Sequence, residues 1–532
     1  MNAGKILPIA VLVLSFSILP NFCLAKYSGG TGDPNNPYQI ATKADLQALA
    51  ANTGDYGKCF ILTADINMGS QVFTTAIIAA DNNSFTGTFD GNGHKITHFT
   101  INGGSNSDLG LFGYIDSGGN VKNLGLENFS VNGDSNSYDV GGLVGYNYEG
   151  SISNCYSTGT VSGHSDYYDV GGLVGKNEYG SISNCYSTGS VSGFDTVGGL
   201  VGANDYGPIS NCYSTGTVSG GSDSYDVGGL VGWSYYGTIS NCYSTGEVSG
   251  SQDVGGLAGE NYNGNVSNCY STGTVSGGSD SYDVGGLVGL SNYCTISNCY
   301  STDTVSGGSG SNSVGGMVGH SDGNISNCYS TGSVSGGSGS DYVGGLAGYN
   351  EDSINNCYST GTVSGGSDSY DVGGLVGDND GPIADCYSTG AVSGSSYVGG
   401  LVGLNYNSSG SIVSSFWDIN TSGQTTSAGG AGKTTAQMKT ESTFTTAGWD
   451  FTNIWAICEG TNYPRLIWQI PAADLVCPDG VNFADFAYFA DRWHTTGCNS
   501  SNNFCGGADM NHSGTVDMQD LEMFAEEWLS GK

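Results

Sequence analysis

The stretch Val140-Gly141-Gly142-Leu143-Val144-Gly145, a short polar turn, then Gly150-Ser151-Ile152-Ser153-Asn154-Cys155-Tyr156-Ser157-Thr158-Gly159 and Thr160-Val161-Ser162-Gly163 decides the fold, because the chain repeats it. Clear copies place cysteine at 155, 185, 212, 242, 269, 299, 328, 357 and 386, in steps of 30, 27, 30, 27, 30, 29, 29 and 29 residues. A degenerate first copy begins near Gly110 with Leu124 in the cysteine slot, and a last copy has Ser415-Phe416 in place of Cys-Tyr. Atypical terminal units are expected where outer faces must close a stack. The length difference between Ser192-Gly193-Phe194-Asp195-Thr196-Val197 and the longer stretch from Ser162 to Val170 assigns all length variation to one loop.

Glycine supplies 92 of the 532 residues, and each costs roughly 1 kcal/mol in a helix relative to alanine. What remains are runs of three to five residues rich in Val, Ile, Leu, Tyr and Thr between Gly, Asn and Ser, which read as short strands and turns. One coil of about three strands stacks on the next at about 4.8 Å, so the repeats make a rod section of roughly 50 Å. The predicted fold is an all-β solenoid whose core is supplied by stacking.

Leu143, Val144, Ile152, Val161 and the cysteine are expected to point inward, with Asn154 at a left-handed turn and its copies laddered. The tyrosines 156, 186, 213, 243, 270, 300, 329, 358 and 387 then form an exposed or half-exposed row, a candidate binding surface. They are Tyr156, Tyr186, Tyr213, Tyr243, Tyr270, Tyr300, Tyr329, Tyr358 and Tyr387. Strict alternation would instead put Asn and Tyr on one side and Cys opposite. The ladder Cys155, Cys185, Cys212, Cys242, Cys269, Cys299, Cys328, Cys357 and Cys386 reads as packing. Coil spacing also permits disulfides between neighbours, with one cysteine left over.

The formal charge is −36, and the only arginines are Arg465 and Arg492. That excludes a nucleic-acid partner and an anionic membrane surface, both of which need basic residues. Residues 1–25 read as an export signal, with Lys5, the apolar run Ile6 to Leu19 and Cys23-Leu24-Ala25, and no later stretch reads as membrane-inserted. A secreted or cell-surface location follows. The segment 26–109 reads as N-terminal cap and first coils, with a helix from Thr42 whose apolar face plugs the open end. Residues 110–420 hold eleven repeats, and 421–470, with Trp449, Phe451, Trp455 and Trp468, read as a cap over the last coil.

Residues 471–532 change character. Asp509, Asn511, Ser513, the Thr515 carbonyl, Asp517 and Asp520 stand at the offsets of a twelve-residue calcium loop, with Gly514 at the turn position, before the helix-competent run Met518 to Leu529. The alternative is an acidic turn before an amphipathic helix. Asp479, Asn482 and Asp485 echo the loop as a weaker second metal site, one residue short, with Val476 and Pro478 where ligands belong. Among Cys477, Cys498 and Cys505 two are expected to pair, Cys498 with one of the others.

Three resemblances follow from these residues. The Gly-Gly-Leu-Val-Gly … Ile-x-Asn-Cys-Tyr-x-Thr-Gly-x-Val unit, over about Gly110 to Phe416, resembles the GLUG repeat of bacterial adhesin-like surface proteins and of some immunoglobulin A peptidases. No His-Glu-x-x-His of such a peptidase is present. The stretch Phe85 to Ile96 resembles the first coil of pectate-lyase-like β-helices, which implies a right-handed solenoid. The tail resembles a dockerin or the dockerin-like module of planctomycete-type secreted proteins. That implies calcium and attachment to a cohesin-like protein or a cell-envelope component.

The functional expectation is an adhesion or interaction scaffold. Its Ser-Asp-Ser-Tyr-Asp loops, with Asp139, Asp169, Asp226, Asp283 and Asp371, and its tyrosine row suit a glycan, another surface, or calcium between coils. The alternatives are a polysaccharide lyase or glycoside hydrolase of this fold and a passive spacer. Lys176 is the one basic side chain from Asn123 to Asn420, and no irregular acidic cluster interrupts the repeat, which argues against catalysis.

Overall fold

The computed structural model describes residues 26–530 except 81–82, 135–136, 165–168 and 407–410. Residues 1–25, expected from the sequence to be an export signal, lie outside that set. Among the described residues no helix is long and apolar enough to cross a membrane.

The repeats coil into a β-solenoid. One coil holds strands Val140–Gly141, Val144–Tyr148, Ser151–Ser153, Tyr156–Ser157 and Thr160–Ser162. Equivalent strands of successive coils pair in parallel, Val144 with Val174, Ile152 with Ile182, Tyr156 with Tyr186 and Val161 with Val191. They build sheets of 23, 10 and 24 strands around one interior. The three faces expected per coil are there, but two of them are each broken by a corner into two short strands. Val140, Leu143, Val144, Ile152, Cys155 and Val161 are buried, as are their copies until the last coil, where Val398 and Ile412 are half-buried. No rung covers its own apolar face, so each depends on its neighbours.

The turns follow from residue chemistry. Asn154, Asn184, Asn211, Asn241 and Asn268 have φ of 52–53°, where asparagine carries little penalty. A second asparagine ladder, which the motif did not reveal, lies inside. Asn147 Nδ2 donates to Asn177 Oδ1 at 2.6 Å, and Asn177 Nδ2 to Asn204 Oδ1 at 2.7 Å. Each also donates to a corner carbonyl, Gly150 or Gly180, so the buried amide nitrogen is satisfied along and across the stack.

Length variation sits at two corners, not one. The 27-residue units are short between Cys185 and Val197 and at its equivalents. The 29-residue units lose a single residue elsewhere, where the pairing of Val288–Ser297 with Val318–Ser326 shifts between Asn292 and Thr295. The left-handed residue of that corner, Tyr179, Tyr206, Tyr236, Asn263 or Tyr293 in earlier coils, has no counterpart after the deletion.

At the start, helix Lys43–Ala51 is capped by Thr42 and Asp45 in a reciprocal pair, and Leu46 and Leu49 join the solenoid interior. At the other end Trp417 closes the interior against Gly400. The chain then turns back. Met438, Phe444, Trp449, Trp455 and Leu466 pack on Tyr358, Tyr387 and Phe416. Trp468 reaches Asn327, its Nε1 donating to that carbonyl at 3.1 Å. The cap expected over the last coil therefore lies along the flank of the last rungs. The tail has its own core around Phe489, Val516 and Phe524, between helices Phe483–Asp491 and Met518–Ser530.

Candidate functional site

The glycines of Val-Gly-Gly-Leu-Val-Gly shape a groove. A Cβ on Gly175 would lie 2.5 Å from Val140 N, and one on Gly259 would lie 2.5 Å from Val227 N. The strand after Leu143 thus runs against the aspartate slot of the coil before it. One wall carries Asp139, Asp169, Asp226, Asp253, Asp283 and Asp371 at one register position, with Thr196, Ser313 and Tyr342 interrupting. The facing wall carries Tyr146, Lys176, Trp233, Glu260, His320 and Asp378. Cavities lie at both ends, one lined by Asp108, Tyr114, Tyr138 and Tyr146, the other by Tyr342, Tyr370, Asp371 and Tyr397.

Burial of these acids disfavours their charged form. It pushes Asp108 up to about 6, and Asp378 to about 6. Asp371 rises to about 7 through burial and then the charges of Asp378 and Asp341. Lys176 Nζ stands 3.1 Å from Asp205 Oδ2 and answers part of the charge of Asp169 and Asp139. His320 lies 3.7 Å from Asp283 and 3.3 Å from Glu351. Burial opposes its cation, yet the two carboxylates outweigh burial and raise its pKa.

The sign of the pH dependence follows. An acid whose folded pKa is raised holds its proton more tightly folded than unfolded. Its contribution is present below the unfolded value of about 3.9 and is lost as pH rises through the folded value. The window for Asp371 thus runs from about 3.9 up to its folded value of about 7. Thermal melts are expected to fall from mildly acidic to mildly alkaline buffer, and Asp371→Asn to flatten that fall. A midpoint that rises over the same window contradicts this origin.

The tyrosine row is a spine. Tyr156 to Tyr387 stack face to face, with centroids 4.9 Å apart for Tyr156–Tyr186 and 5.1 Å for Tyr329–Tyr358, and planes 3° and 5° from parallel. Their π faces are taken by one another, leaving edges and hydroxyls outward. Tyr358 and Tyr387 are buried under the segment 434–470, so the row expected at the surface is covered at its end. The exposed rings are elsewhere. The loop residues Tyr138, Tyr225, Tyr282 and Tyr370 are 51–57 % exposed beside the groove, and Tyr179, Tyr206 and Tyr236 crowd one outer corner. The nine repeat cysteines are buried free thiols. Cys155 N–H, for example, points at Cys185 Sγ at 3.4 Å, an arrangement of packing.

In the tail, Asp509 and Asp520 are fully buried. Asp509 accepts from Ser513 N and Gly514 N, both at 2.9 Å, and Asp520 from Asn511 N at 3.0 Å and Asp517 N at 2.9 Å. Asp517 caps the following helix through Gln519 N, and Ser513 Oγ donates to the Thr515 carbonyl. The first half copies this. Gly480 N donates to Asp474 Oδ2, and Leu475, Val476 and Asn482 N–H groups donate to Asp485. The loop expected to be one residue short is therefore twelve residues long, beginning at Asp474. Oxygens of Asp474, Asp479 and Asp485 come within 4.8 Å of one another, a group able to hold a cation. Val476 and Pro478 hid it by offering no side-chain oxygen. Cys498 pairs with Cys505, and Cys477 pairs with Cys458, which ties the tail to the preceding segment.

The expectation that no irregular acidic cluster breaks the repeat is corrected by Glu260. It occupies a slot held in other coils by Tyr, Lys, Ala, Trp, Leu, His or, at 378, Asp, and its carboxylate oxygens approach those of Asp226 and Asp253 within 4.8 Å.

Comparison with known proteins places GLUG motifs at residues 136–162, 166–192, 196–219, 223–249, 250–276, 280–306, 310–335 and 339–364. These motifs lie on the β-solenoid, within residues 136–364. Halomucin of Haloquadratum walsbyi is 38 % identical over 142 residues, which is 25 % of this chain and 2 % of halomucin. The chain thus spans a small fraction of that relative. A solved structure of an IgA1 protease aligns with 18 % identity and a TM-score of 0.34, covering 54 % of this chain and 21 % of that one.

Proposed function

We propose that this chain is a non-catalytic extracellular scaffold that contacts glycans along its acidic groove and is held to a partner by its calcium-loaded tail. The observation that carries the reading is the recurrence of an exposed tyrosine beside a groove aspartate, Tyr138-Asp139, Tyr225-Asp226, Tyr282-Asp283 and Tyr370-Asp371. An aromatic face takes the C–H side of a sugar, and a carboxylate takes its hydroxyls. Catalysis by a pair of carboxylates asks for a separation of about 5 Å or more across a sugar ring. The Asp226–Glu260 approach, within 4.8 Å from wall to wall, is less suited to that.

Glycan-array binding with and without calcium tests the groove. Binding is expected, and the variant Y225A/Y282A/Y370A is expected to lose it while keeping its melting temperature. Turnover of a polysaccharide without stable binding would favour the enzyme reading, and neither binding nor turnover would favour a spacer.

The tail reading rests on the paired loops and on an apolar face beyond them. Phe483, Phe486, Met518 and Leu529 are exposed, a surface suited to a cohesin-like protein or cell-envelope component. Calcium bound to the Asp509–Asp520 loop at a hundredfold excess over its dissociation constant would stabilise the tail by roughly 2.7 kcal/mol. Chelation is expected to lower the tail's melting transition accordingly, and Asp509→Ala to abolish the response. A transition indifferent to calcium would remove the ion from this account.

A further inference from the structure

The groove's departure from repetition at Glu260 has a chemical consequence. Asp226 and Asp253 are register partners on adjacent rungs, and Glu260 faces them from the opposite wall. Their oxygens lie within 4.8 Å of one another. Asp253 Oδ1 is sealed from solvent and has no hydrogen-bond partner. Asp283, the register partner of Asp253 on the next rung, is 6 % exposed, and its Oδ1 is likewise without a partner. Its charge bears on both Asp253 and Glu260.

At two other places in the groove the protein supplies its own cation. Lys176 serves Asp139, Asp169 and Asp205, and His320 serves Asp283 and Glu351. Flanking Glu260 on its wall stand Trp233 and Leu290, which carry no charge. Like carboxylates packed together and partly withdrawn from water are eased by a proton or a positive charge between them. Burial holds all three above their ordinary range.

We propose that Asp226, Asp253 and Glu260 form a divalent-cation site, and the all-oxygen donor set assigns calcium as the ion class. An ion there would tie two successive rungs to the facing wall, doing what Lys176 does three coils earlier with a covalent side chain. The site does not depend on glycan binding or on the tail loops.

Terbium luminescence on the full-length chain is the test, because Trp233 is the register neighbour of Glu260 and would sensitise an ion bound there. Emission excited through tryptophan is expected to contain a component lost in Trp233→Phe, lost equally in D226N/D253N/E260Q, and displaced by calcium. That component is expected to persist in D509N/D520N, which separates it from tail metal. The triple variant removes three half-buried like charges and is expected to melt no lower than the wild type in chelator, which establishes that it is folded. A Trp233-dependent component unchanged in the triple variant, absent from the wild type, or resistant to calcium would overturn the proposal.

Discussion

Trp455→Ala is expected to destabilise the C-terminal third of the rod by about 3–5 kcal/mol, the range for deleting a large buried aromatic. Trp455 is wholly buried. Its ring lies 4.5 Å from that of Trp449, 6.3 Å from Tyr358 and 6.1 Å from Tyr387, so it joins the back-turned segment to the end of the tyrosine spine. Two hydrogen bonds depend on that closure. Tyr387 Oη donates to the Pro464 carbonyl at 2.6 Å, and Gln469 Nε2 donates to Tyr358 Oη at 2.7 Å. Removing the indole leaves a cavity between rigid stacked rings that cannot collapse into it. Trp455→Phe is expected to cost less, under about 1.5 kcal/mol, because it preserves most of the volume. It also removes an indole N–H that has no partner. Denaturant melts measure both, and nitration of Tyr387 reports opening of the segment. Equal melts for wild type and Trp455→Ala would mean the segment is not held by this contact.

The rod was legible because its information is local. Spacing between cysteines, glycine frequency and Asn154-type turns specify a coil, and stacking multiplies any one coil's pattern. The features that were not legible depend on contacts between distant parts of the chain. Trp468 meets Asn327 across 141 residues, and nothing in an aromatic-rich stretch says which flank it will cover. The groove needed the knowledge that Gly175 faces Val140, a relation between coils rather than within one. Glu260 drew no notice in the sequence, because its meaning depends on which aspartates the facing wall brings opposite it. In the tail, counting back twelve residues from Asp485 would have found Asp474. The apolar Val476 and Pro478 diverted the reading, and Cys458 escaped because it belongs to the neighbouring segment in sequence.

Gly228→Ala tests whether the groove's close walls are a requirement of the stack. A Cβ at this position would lie 1.8 Å from Val231 O, 2.7 Å from Gly259 N and 2.8 Å from Ala258 Cα. All three are main-chain atoms, and two belong to the next coil, so no flexible side chain can give way. Relief requires moving strand Asp226–Gly228 away from Val231 in its own coil and from strand Ala258–Tyr262 in the next, which strains its parallel pairing with Asp253–Gly255, the pairing that carries the register of the aspartate wall. The expected cost is about 3 kcal/mol, at the upper end for overpacking a dense interior. Gly278→Ala is the control. Its Cβ would meet nothing nearer than Gly250 O at 3.4 Å, an ordinary contact. With less freedom in the unfolded chain, that variant is expected to be neutral or slightly stabilising, by up to about 1 kcal/mol. Solenoids can unfold in parts, so amide exchange on the rungs around 228 and 258 is a sharper measure than a single midpoint. Loss of protection confined to those rungs in Gly228→Ala, and unchanged protection in Gly278→Ala, is the expected pair of results. Equal behaviour of the two would mean that the walls can part at little cost, and that the acidic groove between them is not held at a fixed width.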